Sequence, residues 1–205
     1  MAVRQSSVRR PQQDRSRATR QRLLESTIDL LATRGWAGAT VSEVAEHAGV
    51  SRGAAQHHYP TREDLITGAL EYMFDSRMDE IRASVPDLDV GPERTCLVVE
   101  SMVEYFTGPL FKAALQVWTA AAADDVLRER IVPLEAKFGR YAHRITVEML
   151  GADDDDPAVH RLVQATLDLA RGLGLADVLT DDSDRRAQIV RQWAATLDPV
   201  LTAGT

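Results

Sequence analysis

Residues 40–59, TVSEVAEHAGVSRGAAQHHY, constrain the fold most strongly, because they predict two short helices joined by a glycine-centred turn. Thr40 can cap the first helix, and Glu43 three residues later completes a capping-box pattern. Gly49 stands where a left-handed residue would end that helix, and Ser51 can cap the next one. Small apolar residues share one face of the first helix at helical spacing: Val41, Val44, Ala45 and Ala48.

Two short helices with so brief a break are typical of a helix-turn-helix, whose second helix enters the major groove of DNA. An ordinary pair of short core helices is the alternative. The flanking residues favour DNA binding, since residues 1–22 hold seven arginines and one aspartate, a net charge of +6 in a chain whose total is −7. Such asymmetry indicates a basic arm beside an anionic partner. We expect residues 1–14 of this arm to be disordered.

The neighbouring segments also carry helix signals. From Arg15 onward the charges run into an apolar stripe that Gly35 ends, and Thr61 caps a further helix with Glu63 and Asp64 in its first turn. The stripe before Gly35 consists of Leu23, Leu24, Ile28, Leu30 and Leu31.

The ordered set of residues from Arg17 to about Met73 resembles the DNA-binding domain of TetR-type transcriptional regulators. It covers about a quarter of the chain. The resemblance implies an all-α protein of about nine helices, with a three-helix DNA-binding domain at residues 15–61 and a larger ligand-binding and dimerisation domain at residues 62–205. The matching residues are Gly35, Thr40, Val41, Val44, Ala45, Ala48, Gly49, Val50, Ser51, Gly53, His58, Tyr59, Thr61, Arg62, Glu63 and Leu65.

At two positions the chain departs from the family pattern. Gln56 stands where the family usually has an aromatic residue, most often Tyr, that contacts a phosphate. A glutamine amide can instead pair with both edge groups of adenine in the major groove. Arg62 replaces a lysine, which keeps the charge and adds a planar fork suited to phosphate. Neither departure threatens the resemblance, but both obscure the operator sequence.

Phosphate contacts supply position and salt-sensitive affinity, whereas base contacts supply specificity. We expect Gly53 to permit a close approach of the backbone to DNA. His58 either lies near the DNA backbone or packs as a structural histidine. The expected phosphate contacts are Thr40, Tyr59 and Arg62, with Arg15, Arg17 and Arg20 on the flanking backbone or in the minor groove. The expected major-groove residues of the helix that opens at Ser51 are Arg52, Ala54, Gln56 and His57.

The rest of the chain is acidic, unlike the basic arm. Residues 71–205 hold 14 basic and 24 acidic side chains, a net charge of −10, which argues against a nucleic-acid surface there. Cys96 is the only cysteine, so an intrachain disulfide is excluded and a reducing cytoplasm fits. A buried small hydrophobe is favoured for Cys96 over a redox sensor. The sequence holds no apolar run long enough to span a bilayer, so we expect a cytoplasmic protein without a membrane partner.

Breaks in the pattern divide this region into helices. The expected segments are one after Thr61, then about 93–106, 109–123, 124–150, 157–179 and 183–201.

Signatures of other chemistry are missing from the sequence. It holds no nucleophile elbow, P-loop, HExxH or dinucleotide motif, so a helical enzyme is only a remote alternative. His57 and His58 point about 100° apart on a helix, which disfavours a shared metal ion. The acidic run at 153–156 lacks the spacing of a calcium loop and is expected to be a solvated linker. We expect no catalytic residues, no metal and no cofactor.

The resemblance implies an effector pocket among the middle helices, for a small, largely apolar or aromatic molecule. Arg171 could anchor an anionic group of that effector or form a salt bridge to an acid. The expected pocket residues are Met102, Phe106, Phe111, Trp118, Tyr141 and Arg171.

The resemblance also implies a homodimer in which the last two helices pair with their copies, the alternative being packing within one chain. The expected interface residues are Leu162, Leu169, Leu173, Ile189, Trp193 and Leu197. The implied function is a ligand-responsive repressor that binds a near-palindromic operator as a dimer and is released by the effector. An activator or another DNA-binding protein of the same fold is the alternative.

Overall fold

The fold comes from a computed structural model that describes residues 9–84 and 88–202. Within these residues the chain is all-α, with no strand, which confirms the expected fold class. The nine helices are α1 Arg9–Gly38, α2 Val41–His47, α3 Arg52–His58, α4 Arg62–Ser84, α5 Pro92–Thr107, α6 Pro109–Ala122, α7 Asp125–Leu150, α8 Pro157–Ala176 and α9 Ser183–Thr202.

The helix bounds follow the local signals in the sequence. Gly35 has φ 69° and interrupts α1 where the apolar stripe was expected to stop. Pro92 opens α5 and Pro157 opens α8, and Asp156 caps α8 by accepting a hydrogen bond from the Ala158 N–H at 2.7 Å. The end of α8 differs from its expected position, because it lies at Ala176 rather than near residue 179.

The structure describes part of the basic arm, which was expected to be disordered over residues 1–14. Residues 1–8 lie outside the described residues, whereas residues 9–14 form the first turns of α1. The three arginines at positions 15, 17 and 20 are all exposed on this helix.

The chain divides into two compact units. The first unit comprises the described residues up to Met73 together with Ala113–Arg128, and the second comprises Phe74–Lys112 with the described residues from Glu129 onward. This division differs from the expected boundary after residue 61 because α4 continues without a break from Arg62 to Ser84. The expected domain bounds remain a prediction.

In the first unit, α1 packs against α2 and α3, and α2 packs against α3. The apolar stripe of α1 forms the centre of this core, since all five of its leucine and isoleucine side chains are buried. From α2 the core receives Val44 and Ala45, and from α4 it receives Leu65 and Ile66. Burying these side chains favours the folded state by removing apolar surface from water.

In the second unit, α5 packs against α8 and α9. The Thr95 hydroxyl of α5 donates to the buried Asp198 carboxylate of α9 at 2.9 Å. The Trp193 indole N–H of α9 donates to the Thr166 hydroxyl of α8, also at 2.9 Å. Buried polar groups are thus paired between helices, which avoids the cost of leaving them without partners.

Close packing between α5 and α8 depends on Gly174. A Cβ atom at this position would overlap the carbonyl oxygen of Phe106 and lie 2.7 Å from its carbonyl carbon. The backbones of the two helices are therefore in direct contact at this point. In the described part of the chain, none of the helices has both the length and the apolar character needed to cross a membrane.

Candidate nucleic-acid interface

The turn between α2 and α3 has the geometry that its sequence predicts. Gly49 has φ 64°, a left-handed conformation, and the Val50 N–H closes the end of α2 by donating to the Ala45 carbonyl at 2.9 Å. Ser51 then caps α3, its hydroxyl accepting from the Ala54 N–H at 3.2 Å. The helix-turn-helix geometry thus follows from these local bonds.

Thr40 caps α2 as expected, because its hydroxyl accepts a hydrogen bond from the Glu43 N–H at 3.2 Å. Glu43 does not complete the box in the expected way, since its carboxylate pairs with Arg34 of α1 at 3.1 Å. That longer-range ion pair links α1 to α2 on the surface. The phosphate contact that we expected from Thr40 is compatible with this arrangement, since a hydroxyl that accepts one bond still has a proton to donate.

The two faces of α3 differ sharply in exposure. Ala55 is fully buried and Tyr59, just after the helix, is 7% exposed, so this side anchors α3 to the core. Ala54 and His58 are half-buried. The exposed face carries the residues expected to reach DNA, namely Arg52, Gly53, Gln56 and His57.

Tyr59 is held from α1 by Arg20. The Arg20 Nε–H donates to the Tyr59 hydroxyl at 2.9 Å, and this bond raises the pKa of Arg20. On the opposite side, the Tyr59 ring lies against Gly68 of α4. A Cβ atom at Gly68 would lie 3.0 Å from this ring, so any larger residue would force the ring to shift. The expected phosphate role of Tyr59 therefore falls to its hydroxyl, because the ring is packed.

Arg62 contacts the connection between α1 and α2. Its Nε–H donates to the Ala39 carbonyl at 2.9 Å, a terminal N–H group donates to the Trp36 carbonyl, and the guanidinium carbon lies 4.0 Å from the centroid of the Trp36 ring. Burial lowers the pKa of Arg62. These contacts give Arg62 a structural role, in which it holds the connection between α1 and α2, while its phosphate contact stays a prediction.

Comparison with known proteins agrees with this geometry. The family described as "Bacterial regulatory proteins, tetR family" matches residues 23–69, which include α2, α3 and the turn between them. Residues 23–69 thus carry a DNA-binding domain of the TetR type.

Two curated relatives of this chain are named HTH-type transcriptional regulators. The regulator CymR of Pseudomonas putida is 31% identical over 126 residues, which are 62% of each chain. The uncharacterized regulator YerO of Bacillus subtilis is 25% identical over 129 residues, covering 63% of this chain. The chain therefore spans 62% and 42% of the lengths of these two relatives.

Solved structures share the fold over most of the chain. A transcriptional regulator from Rhodococcus has a TM-score of 0.65 at 20% identity, covering 90% of this chain and 96% of its own. The multidrug binding protein EbrR, complexed with malachite green, has a TM-score of 0.61 at 21% identity, covering 88% of this chain and 98% of its own. At such identities the likeness concerns the fold alone.

The second unit contains most of the residues expected to form an effector pocket. Six rings, which we call the aromatic cluster, contact one another: Phe74, Tyr105, Phe106, Phe111, Phe138 and Tyr141. Met102 is buried and accepts a hydrogen bond from the Thr146 hydroxyl at 3.2 Å. The aromatic cluster includes Phe74, Tyr105 and Phe138, which are not among the expected pocket residues, because aromatic spacing alone does not reveal which rings meet.

Two of the expected pocket residues lie differently. Trp118 belongs to the first unit, so it is not placed with the others. Arg171 pairs with Asp168 at 2.9 Å and lies over the Phe106 ring at 5.5 Å, which supports the salt-bridge alternative for this residue.

An open cavity in the second unit, about 130 Å³ in volume, has a mostly polar lining. Its walls are Arg77, Glu80, Ile81, Ser101, Glu104 and Tyr105, and burial raises the pKa of the Tyr105 hydroxyl. None of the residues expected in the effector pocket lines this cavity. Cys96, on the same helix as Ser101, is half-buried, and this burial raises the pKa of its thiol, which disfavours the reactive thiolate.

The expected interface residues divide into two groups. Leu173 and Leu197 are 5% and 1% exposed, so both belong to the core of the chain rather than to a surface that a partner could reach. Trp193 is half-buried and bonded to Thr166. Leu162, Leu169 and Ile189 are likewise half-buried. Near the end of α8, the strongly exposed apolar side chains are Leu175 and Leu179, which the sequence analysis did not select.

Proposed function

We propose that this chain is a ligand-responsive transcriptional regulator of the TetR family that binds a near-palindromic DNA operator as a homodimer. The support for this proposal is the exposed face of α3, which is fixed to the core from behind by Ala55 and Tyr59. A rigid helix with a free polar face is what reading base edges requires. The curated relatives, named HTH-type transcriptional regulators, agree with it.

On the exposed face, Arg52 and Gln56 are assigned to base edges. They lie four residues apart, and hence on one side of the helix. An arginine fork pairs with guanine, and a glutamine amide pairs with adenine. Arg15, Arg17 and Arg20 are assigned to phosphates, since they are exposed and charged.

Two copies of α3 must reach successive major grooves, about 34–36 Å apart, which requires a dimer. We assign the dimer contact to α8 and α9. Its support is the exposed apolar surface near their ends, at Leu175, Leu179 and Val200, together with the half-buried Leu162, Leu169 and Ile189. Unpartnered apolar side chains of this kind favour association.

The effector is assigned to the second unit, and its class to small apolar or aromatic molecules. The support is the aromatic cluster, whose stacked and edge-on rings offer surfaces for a flat or cationic guest. The fold accommodates such guests, since EbrR was solved with malachite green and a regulator from Saccharomonospora viridis with choline. Ligand binding would release DNA only if the effector has different affinities for the bound and free conformations.

The test is an anisotropy titration of the full chain against the DNA upstream of its own gene and a set of single-base variants. We expect Arg52→Ala and Gln56→Ala each to relax base preference at one position per half-site, by about 1–3 kcal/mol. Arg140→Ala, an exposed arginine of the second unit, is the matched control and should change nothing. A uniform loss across all variants would contradict the assignment of base contacts, and the absence of any salt-sensitive shift would contradict the regulator itself.

The direction of regulation is a separate question. We propose a repressor, because dimer binding at an operator can block access to the promoter. In a reporter assay, expression should rise when the regulator is deleted. A fall on deletion would assign the chain to activators of the same fold.

A further inference from the structure

Three side chains from consecutive segments of the second unit meet at one point. His143 lies on α7, Asp154 lies in the turn after it, and His160 lies in the first turns of α8. The Nε2 atom of His143 is 2.8 Å from Oδ1 of Asp154, and the Nδ1 atom of His160 is 3.0 Å from the same oxygen. The two imidazole rings lie 4.5 Å apart, centroid to centroid.

The three atoms are spaced closely enough to share an ion. All of them lie within 4.8 Å of one another. Around a tetrahedral ion with bonds of about 2.0–2.2 Å, ligand atoms are separated by roughly 3.3–3.6 Å. The two nitrogen–oxygen distances, 2.8 and 3.0 Å, would have to open by about 0.3–0.8 Å. The two nitrogens, which lie within 4.8 Å of each other, would have to approach by up to about 1.5 Å.

The backbone holds these groups in place before any ion arrives. Gly151, with φ 64°, ends α7, and the Ala152 N–H donates to the Val147 carbonyl at 3.1 Å. Within the turn, the Asp153 carboxylate accepts from the Asp155 N–H at 3.1 Å. The turn is thus folded back so that Asp154 faces both helices. The His143 side chain is only 15% exposed, which restricts its rotamers, whereas His160 and Asp154 remain accessible to solvent.

The surrounding charge favours a cation. Asp153, Asp155 and Asp156 flank Asp154 directly in the sequence, and all four are exposed. A concentration of carboxylates raises the local concentration of positive ions, while the two imidazoles supply ligands that calcium and magnesium do not favour. Imidazole and carboxylate together suit zinc, copper and nickel.

We propose that His143, Asp154 and His160 bind a divalent transition-metal ion of the zinc class, one per chain. Nitrogen ligands come from Nε2 of His143 and Nδ1 of His160, and the oxygen ligand comes from Asp154. Each neutral imidazole then carries its proton on the other ring nitrogen, and water completes a four-coordinate shell. The proposal does not depend on the DNA-binding function.

A bound ion would join α7 to α8 through the turn between them. Its binding energy would appear as stability of the folded chain, since the three ligands are brought together only by folding. The site would therefore make the stability of the second unit sensitive to metal concentration.

The experiment uses the untagged full chain, treated with chelator and then titrated calorimetrically with Zn²⁺. We expect one equivalent per chain and a rise in Tm with added zinc. Loss of a supporting partner outside a metal's ligand shell costs about 10–100-fold in affinity, so loss of a direct ligand in Asp154→Asn or His160→Gln should cost at least about tenfold. These two residues are accessible to solvent, so their variants should fold even if a variant of His143 does not.

Two controls separate the site from diffuse attraction. Asp155→Asn removes the same charge one residue away, and His57→Gln removes a histidine of the first unit. Both should bind Zn²⁺ like the wild type, and Co²⁺ should give a tetrahedral visible spectrum that only the ligand variants lose. The proposal is overturned if the wild type binds no zinc, if the ligand variants bind as well as the wild type, or if Asp155→Asn weakens binding as much as Asp154→Asn.

Discussion

The Nε–H of Arg20 donates a hydrogen bond to the hydroxyl of Tyr59 across 2.9 Å, which ties the basic segment of α1 to the end of α3. Tyr59→Phe keeps the packed ring but removes the acceptor, so we expect a loss of about 0.5–1.5 kcal/mol in the free energy of unfolding. DNA affinity should fall equally for all operator variants, because no base contact is lost. Urea unfolding and anisotropy measure the two effects. Tyr72→Phe, at a half-buried tyrosine of α4, is the control, and an equal effect there would count against a specific role for Tyr59.

Arg62 should contribute to stability rather than to the salt dependence of DNA binding. Arg62→Ala removes the side-chain donor to the Trp36 and Ala39 carbonyls, so the free energy of unfolding should fall by about 1–3 kcal/mol in urea unfolding. Arg62→Lys should recover only part of this loss, since a lysine lacks the planar fork. If instead Arg62→Ala lowered the salt slope of DNA binding with unfolding unchanged, the phosphate role first expected would be right.

Replacing Gly53 should affect DNA affinity and the stability of the fold differently. A Cβ atom at this exposed position would meet nothing within 4 Å in the chain itself. Gly53→Ala should therefore leave the fold intact and even stabilise it by up to about 1 kcal/mol, because glycine is a poor helix former. DNA binding should weaken if the backbone approaches the duplex there. Unchanged affinity alongside a higher Tm would show that the DNA does not come close to this residue.

The exposed arginines of α1 should control the salt dependence. Each phosphate contact that is lost lowers the slope of log affinity against log salt by about 0.9. Arg15→Gln and Arg17→Gln should each produce a change of this size without altering base preference. Arg140→Gln, in the second unit, provides the charge-matched comparison. A slope that responds equally to all three substitutions would mean that general charge, not local contact, sets the affinity.

Two glycines of α8 offer a matched pair. Gly174→Ala would force a methyl group into the Phe106 backbone and should cost about 1–3 kcal/mol, as overpacked cores do. Gly172→Ala meets nothing within 4 Å and should be neutral or stabilising. Thermal or urea unfolding of both variants checks this. Equal effects would contradict the assigned close packing of α5 and α8.

Features that depend on neighbours in sequence were predictable. The stop at Gly35, the left-handed Gly49, and the caps at Thr40 and Ser51 each rest on bonds within a few residues, so local patterns identify them. The family match then extended these local signals to the all-α fold.

Features that depend on distant residues were harder to predict. Arg62 binds carbonyls more than twenty residues earlier, which no local pattern shows. Leu197 has the same helical spacing whether it faces a partner or the core, and only the packing of α9 decides. His143 and His160 flank a turn, but their meeting at Asp154 depends on how that turn folds back. Flanking histidines around an acidic helix connection are the sequence signal that could have indicated this cluster.

The contact between Gly174 and the Phe106 backbone also limits how the second unit can deform. Side chains absorb small shifts by changing rotamer, but a main-chain surface pressed against another has no such freedom. The helices α5 and α8 should therefore move as a single solid block. If the chain responds to an effector, the helices should shift relative to each other where they meet through side chains alone. One such place is the stack of Phe74 of α4 on Phe138 of α7.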